Sequence, residues 1–138
     1  MTIKAGTPSQ SRVALWAELS RPFTLVAPAL GVVSGSITAA GAHPRDPWTS
    51  ALFINMAIGA LMAAVLNAAS NALNQIYDLE IDRINKPNRP LVTGEVSIRE
   101  AWIFTWILYV LGTVPTWLVV AYPYTTWSAK LTAPLAAH

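Results

Sequence analysis

Long apolar stretches that contain no formally charged side chain alternate with short polar segments along this sequence. Three such stretches cover residues 22–42, 47–77 and 101–129. Each is at least as long as the roughly 20 residues that a helix needs to cross a bilayer. They predict three membrane-spanning helices, with room for part of a fourth after residue 122. The expected fold class is therefore all-α, a polytopic membrane helical bundle with about three to four transmembrane helices.

The composition supports a membrane protein. Of the 138 residues, 54% are hydrophobic and only 12% are charged, whereas soluble domains carry about 25% charged residues. The absence of cysteine excludes disulfides and thiolate metal sites. The two histidines, His43 and His138, have no partner at metal-ligand spacing. The net charge of +2 is small, and the basic residues lie near the ends of the apolar stretches. We therefore expect no binding to nucleic acid.

The segments outside these stretches suggest a simple organisation. Residues 1–12 are polar and are expected to form a disordered N-terminus. Residues 13–21 are predicted to form a short helix at the membrane surface, and residues 13–138 to form one membrane domain. Residues 40–42 resemble a signal-peptide cleavage site, but the preceding apolar run is too long for a signal peptide, so we expect a retained helix.

Basic residues predict the orientation in the membrane, because lysine and arginine accumulate on the cytoplasmic side. They occur before the first apolar stretch and again after the second, whereas only Arg45 lies between these two stretches. We therefore expect a multi-pass protein of the cell membrane whose N-terminus and 78–100 segment are cytoplasmic. The basic residues that carry this prediction are Lys4, Arg12, Arg21, Arg83, Lys86, Arg89 and Arg99.

A regular polar pattern ends the second apolar stretch. Asn74, Asp78 and Asp82 repeat at i, i+4 and i+8, which places them along one stripe of a helix, and Asn67 and Asn71 extend that stripe into the apolar segment. Oxygen ligands in a row suit a magnesium ion that carries a diphosphate. Polar groups on a membrane helix are costly and need partners, so they indicate a functional site.

Basic residues follow this acidic motif (Asn74, Asp78 and Asp82). Arg83, Lys86 and Arg89 could bind the outer oxygens of the diphosphate, arginine as a fork and lysine as a point charge. Such a clamp would stabilise a departing diphosphate and favour ionisation of an allylic C–O bond. The alternative is a solvated loop of charges after a membrane helix, which does not explain the row of asparagines within the apolar segment.

The acidic motif and the residues after it resemble a known family. Asn74-x-x-x-Asp78-x-x-x-Asp82, followed by Asn-Lys-Pro-Asn-Arg-Pro-Leu over 85–91, looks like the first aspartate-rich motif of the UbiA-type intramembrane prenyltransferases. Arg21-Pro22 is similar to the start of that family's first span. By this resemblance, Asn74, Asp78 and Asp82 are ligands of a magnesium–diphosphate complex. The residues expected to bind the diphosphate are Asn71, Arg83, Lys86, Arg89 and Arg21.

The resemblance implies a magnesium-dependent transfer of a prenyl group from a prenyl diphosphate to a lipophilic aromatic or other polar acceptor, within a fold of about nine membrane helices. The stretch over 84–87 looks most like the branches that prenylate homogentisate, esterify chlorophyllide or alkylate a glycerol phosphate. The likeness covers residues 16–120, the N-terminal part of the family's fold. No acidic residue follows Glu100, so the family's second aspartate motif is absent. We therefore expect a truncated or frameshifted gene product, or a fragment, that holds half of the diphosphate site and is inactive alone.

Two other classes of function stay open on the sequence. One is a membrane protein without catalytic activity, and the other is a fragment of a transporter in which the polar stripe forms an ion path. Both aspartates lie at the end of the apolar stretch rather than within it, which favours the prenyltransferase. A soluble isoprenyl-diphosphate synthase is disfavoured, because the sequence contains no adjacent aspartates.

The predicted orientation can be tested with single-cysteine variants at positions 45 and 86, because the sequence has no other cysteine. In sealed cells, a membrane-impermeant thiol reagent is expected to label Arg45→Cys and to leave Lys86→Cys unlabelled until the membrane is opened. Labelling at 86 from outside, with protection at 45, would reverse the orientation.

Overall fold

All regular structure in the described part of the chain is helical, as the sequence predicts. The structure is a computed structural model that describes residues 11–42 and 48–132, with side chains as far as Trp117. A short 3₁₀ helix separates the first two α-helices, and a single residue separates α3 from α4. The elements are α1 (Arg12–Ser20), the 3₁₀ helix (Pro22–Leu25), α2 (Val26–Ala42), α3 (Ser50–Tyr77), α4 (Leu79–Asn85), α5 (Pro90–Thr93) and α6 (Ile98–Thr132).

The predicted spans coincide with the long helices. Among the described residues, Pro22–Ala42 and Ser50–Tyr77 are long and apolar enough to cross a membrane. The third predicted span lies within α6, which continues to Thr132, so the residues after 122 that left room for part of a fourth helix extend α6 instead. A proline within α6 removes one backbone N–H donor. A membrane helix can still continue through it where neighbouring groups provide hydrogen bonds to the freed carbonyl. The 43–47 loop, which was expected to face outward, lies outside the described residues.

The short helix that was predicted over 13–21 begins one residue earlier, at Arg12. The Ser11 hydroxyl accepts a hydrogen bond from the Ala14 N–H at 3.2 Å and caps α1. Ser11 and Arg12, the last two residues of the segment expected to be disordered, therefore form the capped start of α1. Residues 1–10 lie outside the described part of the chain, and the expectation of disorder there stays a prediction.

An ion pair and an aromatic contact dock α1 on the start of α6. The Arg12 guanidinium pairs with the Glu100 carboxylate and lies 5.6 Å from the centre of the Trp16 ring. The Trp16 and Phe104 ring centres are 4.7 Å apart. Glu100 also accepts hydrogen bonds from the Ser97 N–H and hydroxyl, and the Ser97 hydroxyl accepts one from the Glu100 N–H. This reciprocal pair caps the start of α6.

The same contacts keep the Glu100 carboxylate ionised. The hydrogen bond from Arg12, followed by those from the Ser97 N–H and hydroxyl, lowers the pKa of Glu100 to about 2. The carboxylate therefore carries its charge at any physiological pH, and the link between α1 and α6 does not depend on pH in that range.

The best-buried part of the protein lies at the end that carries the acidic motif. Apolar side chains from α1, the end of α3, α4, α5 and the start of α6 form one buried cluster there. By contrast, α2 has no buried residue, and large apolar side chains on its surface and on α6 are exposed. The cluster consists of Leu15, Leu19, Ala72, Leu79, Leu91, Val96 and Ala101.

Close packing joins α3 to α6 at Gly112. A Cβ atom added there would lie 2.7 Å from both Cγ and Cδ2 of Leu66. One turn later the Thr116 hydroxyl lies 3.3 Å from the sulfur of Met62. The absence of a side chain at Gly112 therefore lets the two helices approach, as small residues do between membrane helices.

Gly112→Ala is expected to destabilise the protein by about 1–3 kcal/mol, because an added methyl group in a filled contact forces the neighbouring side chain and backbone to move. Gly31→Ala on α2 is the matched control, since a Cβ there would meet no described atom within 4 Å. That control should be neutral or stabilising by up to about 1 kcal/mol through helix propensity. Unfolding followed by circular dichroism in detergent compares them, and equal stability of the two variants would show that the close packing is absent.

Candidate functional site

Side-chain amides on α3 bind the backbone where α1 ends. The Asn71 amide donates to the Ser20 carbonyl at 2.9 Å. One turn later the Gln75 amide donates to the Leu19 carbonyl at 2.8 Å. Both side chains are buried, at 8% and 3% exposed. These amides provide donors for carbonyls that the end of α1 leaves without helical partners.

Prolines explain why a third amide is needed. In a continuous helix, the Thr24 carbonyl would accept from the N–H of residue 28, but that residue is Pro28, which has none. The Asn67 amide donates to the Thr24 carbonyl instead, at 3.1 Å. Pro22 removes another donor, and the Arg21 N–H is shared between two carbonyls of α1. Arg21 itself has a left-handed backbone, with a φ of +51°.

Together, Asn67, Asn71 and Gln75 form an amide ladder at i, i+4 and i+8 that ties α3 to the turn between α1 and α2. The sequence indicated that Asn67 and Asn71 need partners, and the structure provides them within the chain. Gln75 was missed, although its position four residues after Asn71 gives the same helical spacing as the predicted stripe. The Asn71 amide, predicted to bind diphosphate, donates in this structure to Ser20 and to the Thr24 hydroxyl.

The acidic motif keeps its helical spacing across the break between α3 and α4. Asp78 leaves the helical conformation, with a φ of −83° and a ψ of 6°. Its N–H nevertheless donates to the Asn74 carbonyl at 2.8 Å, and its carbonyl accepts from the Asp82 N–H at 2.7 Å. The i to i−4 hydrogen bonds of a helix therefore continue through the motif.

The three members of the acidic motif have different surroundings. Asn74 and Asp78 are exposed, and Asp78 has no ion-pair partner among the described residues. Asp82 is only 3% exposed. One of its carboxylate oxygens binds the Arg89 guanidinium, and the other lies 3.7 Å from the Lys86 ammonium. The fold thus brings Asp82, Lys86 and Arg89 together, and leaves Asn74 and Asp78 open to solvent.

The remaining predicted site residues lie at the edge of this region. Arg83 forms an exposed pair with Glu80 at 2.9 Å, and Arg21 is exposed. No group of three histidine, cysteine or acidic side chains in the described ranges could hold a metal ion. The oxygens of Asn74 and Asp78 nevertheless fit magnesium by type, since this ion prefers oxygen ligands and keeps several positions for water and phosphate.

Comparison with known proteins places the chain in a family. Residues 25–137 match the UbiA prenyltransferase family, and the chain belongs to that family. It is 37% identical over 95 residues to the digeranylgeranylglyceryl phosphate synthase of Methanopyrus kandleri, which covers 69% of this chain and 32% of that protein. It is also 37% identical over 114 residues to the protoheme IX farnesyltransferase of Clavibacter michiganensis, covering 70% and 35% of the two chains.

A solved structure has the same fold over the matched region. That structure is described as giving structural and mechanistic insights into the biosynthesis of digeranylgeranylglyceryl phosphate synthase in membranes. The TM-score is 0.64 at 29% identity, over 74% of this chain and 34% of the other. The predicted all-helical membrane architecture is therefore confirmed. The matched regions cover between 17% and 35% of the length of these curated relatives.

The amide ladder predicts different stabilities for two neighbouring asparagine variants. Asn71→Ala leaves the Ser20 carbonyl without its side-chain donor in a buried site, which should cost about 1–3 kcal/mol. Asn74→Ala removes the same amide from an exposed position and should stay within about 0.5 kcal/mol of the parent. Denaturation in detergent micelles measures both, and a loss at Asn74 as large as that at Asn71 would contradict the ladder.

Proposed function

We propose that this chain holds one side of the diphosphate site of a magnesium-dependent prenyltransferase, which transfers a prenyl group from a prenyl diphosphate to a lipophilic acceptor. The observation that supports it most is the arrangement of the motif end. Two exposed oxygen ligands, Asn74 and Asp78, lie at the end of a membrane-length apolar helix. Four residues after Asp78, the Asp82 carboxylate pairs with Lys86 and Arg89.

The proposed roles follow from these surroundings. Asn74, Asp78 and Asp82 would hold magnesium through their side-chain oxygens. When bound, the ion would neutralise the diphosphate as it departs. Arg89 and Lys86 would bind the diphosphate oxygens.

Further cations and amides are proposed at the same end. Arg21 has no carboxylate partner among the described residues and would reach the diphosphate from the turn that the amide ladder holds. Arg83 would contribute after leaving Glu80. Asn71, predicted to contact the diphosphate, is proposed to support this end of the site through its bond to Ser20.

The proposed acceptor follows from the relatives. Several are named digeranylgeranylglyceryl phosphate synthase, which favours a geranylgeranyl-type donor and a glyceryl phosphate acceptor for this chain. One of the branches indicated by residues 84–87 alkylates a glycerol phosphate, which agrees with this choice. The protoheme IX farnesyltransferase relative makes heme a second candidate acceptor.

The proposed location is the cell membrane, with the motif end on the cytoplasmic side. The charged residues also cluster at this end. A diphosphate is itself charged and has to reach its site from water. The apolar helices α2 and α3 would accommodate the prenyl tail. Because the sequence contains no second aspartate motif, we propose that these residues form one face of the site.

The amide ladder argues against the transporter alternative. An ion path through a membrane helix needs polar groups that face a cavity. Here the amide nitrogens of Asn67, Asn71 and Gln75 donate to backbone carbonyls of the same chain. The polar stripe within α3 therefore supports the fold rather than an ion path.

Binding of a non-hydrolysable geranylgeranyl diphosphate analogue with Mg²⁺, measured by calorimetry on the chain in nanodiscs, tests the proposal. Asp78→Ala should weaken binding by about tenfold or more, because it removes a proposed ligand of the ion, and loss of even an indirect partner of a metal site costs that much. Glu80→Ala removes the same charge from an exposed position and frees Arg83, so its binding should be equal or stronger. An equal loss in both variants, or the same affinity without Mg²⁺, would rule out the proposed site.

A further inference from the structure

The backbone of Arg21 adopts a conformation that residues other than glycine rarely take. Its φ is +51° and its ψ is +67°, in the left-handed region where glycine commonly follows the end of a helix. It is the only non-glycine residue with a positive φ in the described part of the chain. Its side chain is exposed. Because folding alone would favour glycine at this position, the arginine indicates a task for its side chain.

Both polar groups of the Arg21 backbone form two hydrogen bonds. The Arg21 N–H is shared between the carbonyls of Ala17 and Glu18, at 3.1 and 3.3 Å. The Arg21 carbonyl accepts from the Thr24 N–H and from the Thr24 hydroxyl, both at 2.9 Å. A residue in a left-handed conformation persists where the surrounding structure over-determines it. Half of the bonds that do so here come from Thr24.

The Thr24 hydroxyl uses its whole hydrogen-bonding capacity, which is one donor and two lone pairs. It donates to the Arg21 carbonyl. It accepts from the side-chain amide of Asn71 at 2.7 Å and from that of Asn67 at 3.2 Å. Each amide also donates to a backbone carbonyl of the same turn, Asn71 to Ser20 and Asn67 to Thr24. The Thr24 hydroxyl therefore connects the amide ladder to the backbone of Arg21.

This connection lies one helical turn from the acidic motif. Asn71 and Asn74 both belong to α3, and a separation of three residues along a helix is a rise of about 4.5 Å. Residues at that spacing lie on one face of a helix. The Asn71 amide bonds to Ser20, the residue before Arg21. Arg21 is thus attached to the face of α3 that carries the acidic motif, one turn before its first member.

We propose that Thr24 is a positioning residue, whose hydroxyl keeps Arg21 in its left-handed conformation and so sets the guanidinium beside the diphosphate that the acidic motif binds. This inference rests on the proposed function and adds a residue to it. Arginine binds phosphate oxygens as a rigid planar fork, so the direction from which it approaches matters more than it does for a point charge. Holding the backbone where that side chain begins restricts this direction. Thr24 would act through Arg21 without contact to the ligand.

The first test needs no ligand. Thr24→Val keeps the branched shape of the side chain and removes the hydroxyl, whereas Thr24→Ser keeps the hydroxyl. Hydrogen–deuterium exchange of the chain in nanodiscs, read by mass spectrometry on the peptide over 20–25, should be several-fold faster in Thr24→Val and close to the parent rate in Thr24→Ser. Thr38→Val is the matched control and should leave this peptide unchanged, because the Thr38 hydroxyl donates to the Ser34 carbonyl within α2. Unchanged exchange in Thr24→Val would overturn the proposal.

The second test asks whether Arg21 serves the ligand rather than the fold. Arg21→Gly removes the charge and relieves the left-handed conformation, whereas Arg21→Gln removes the charge alone. Arg21→Gly should therefore unfold at a higher denaturant concentration than the parent, and Arg21→Gln close to it. Both should weaken binding of magnesium pyrophosphate about tenfold in calorimetry, the cost of one charge-assisted hydrogen bond. Easier unfolding of Arg21→Gly, or parental pyrophosphate binding in both variants, would overturn the proposal.

A double variant separates positioning from a loss of stability. Thr24→Val should weaken magnesium pyrophosphate binding several-fold, and Thr24→Ser should bind within about twofold of the parent. In an Arg21→Gln background, Thr24→Val should cost no more than about twofold, because no guanidinium is left to position. Equal losses with and without the Arg21 guanidinium would assign Thr24 to the fold alone and overturn the proposal.

The outcomes distinguish this inference from the function on which it rests. A parent chain that binds magnesium pyrophosphate, together with a Thr24→Val variant that binds it equally well, would leave the proposed function standing and overturn the inference. A parent chain that binds no magnesium pyrophosphate would refute the proposed function, and the anion-binding task of Arg21 with it. The exchange measurement would still decide whether Thr24 holds Arg21.

Discussion

The need to satisfy backbone carbonyls in an apolar environment is the constraint on which the arrangement of this protein depends. Two prolines, Pro22 and Pro28, remove N–H donors near the turn that joins α1 to α2, and a buried carbonyl that is left unpaired costs about 1–3 kcal/mol. Asn67 donates to the Thr24 carbonyl in place of Pro28, and Asn71 and Gln75 donate to carbonyls that the end of α1 leaves without helical partners. Because those donors lie one turn apart on α3, satisfying the carbonyls also fixes where α1 lies against α3.

The sequence predicted the helices well because their signals are local. Charge-free stretches of membrane length identified α2, α3 and much of α6, and the i, i+4 spacing of Asn74, Asp78 and Asp82 was correct because hydrogen bonds continue through the break at Asp78. Amide and carboxylate side chains next to arginines and lysines were also visible without a structure. The family resemblance seen on these residues is confirmed by the match over 25–137.

The partners of the polar side chains could not be predicted, because they depend on how distant segments meet. Asn67 and Asn71 look like site residues in a linear sequence, and only the docking of α1 shows that they bind backbone. Asp82 and Asp78 are equivalent by spacing. Asp82 is buried where the segment after α4 places Arg89 against it, whereas Asp78 stays exposed. Gln75 was not predicted, because a single glutamine near the end of an apolar stretch does not change its composition enough to indicate a contact.

The contact between Arg12 and Glu100 joins residues 88 positions apart, and this separation constrains the order of assembly during synthesis. The ribosome must complete α2, α3 and the whole acidic motif, and then the first turn of α6, before α1 can form its ion pair. Until then the turn that carries Arg21 is not attached to α6, even if α2 and α3 have already formed. The contact between α1 and α6 at the motif end therefore forms late in insertion, when a segment made early is captured by one that is made 88 residues later.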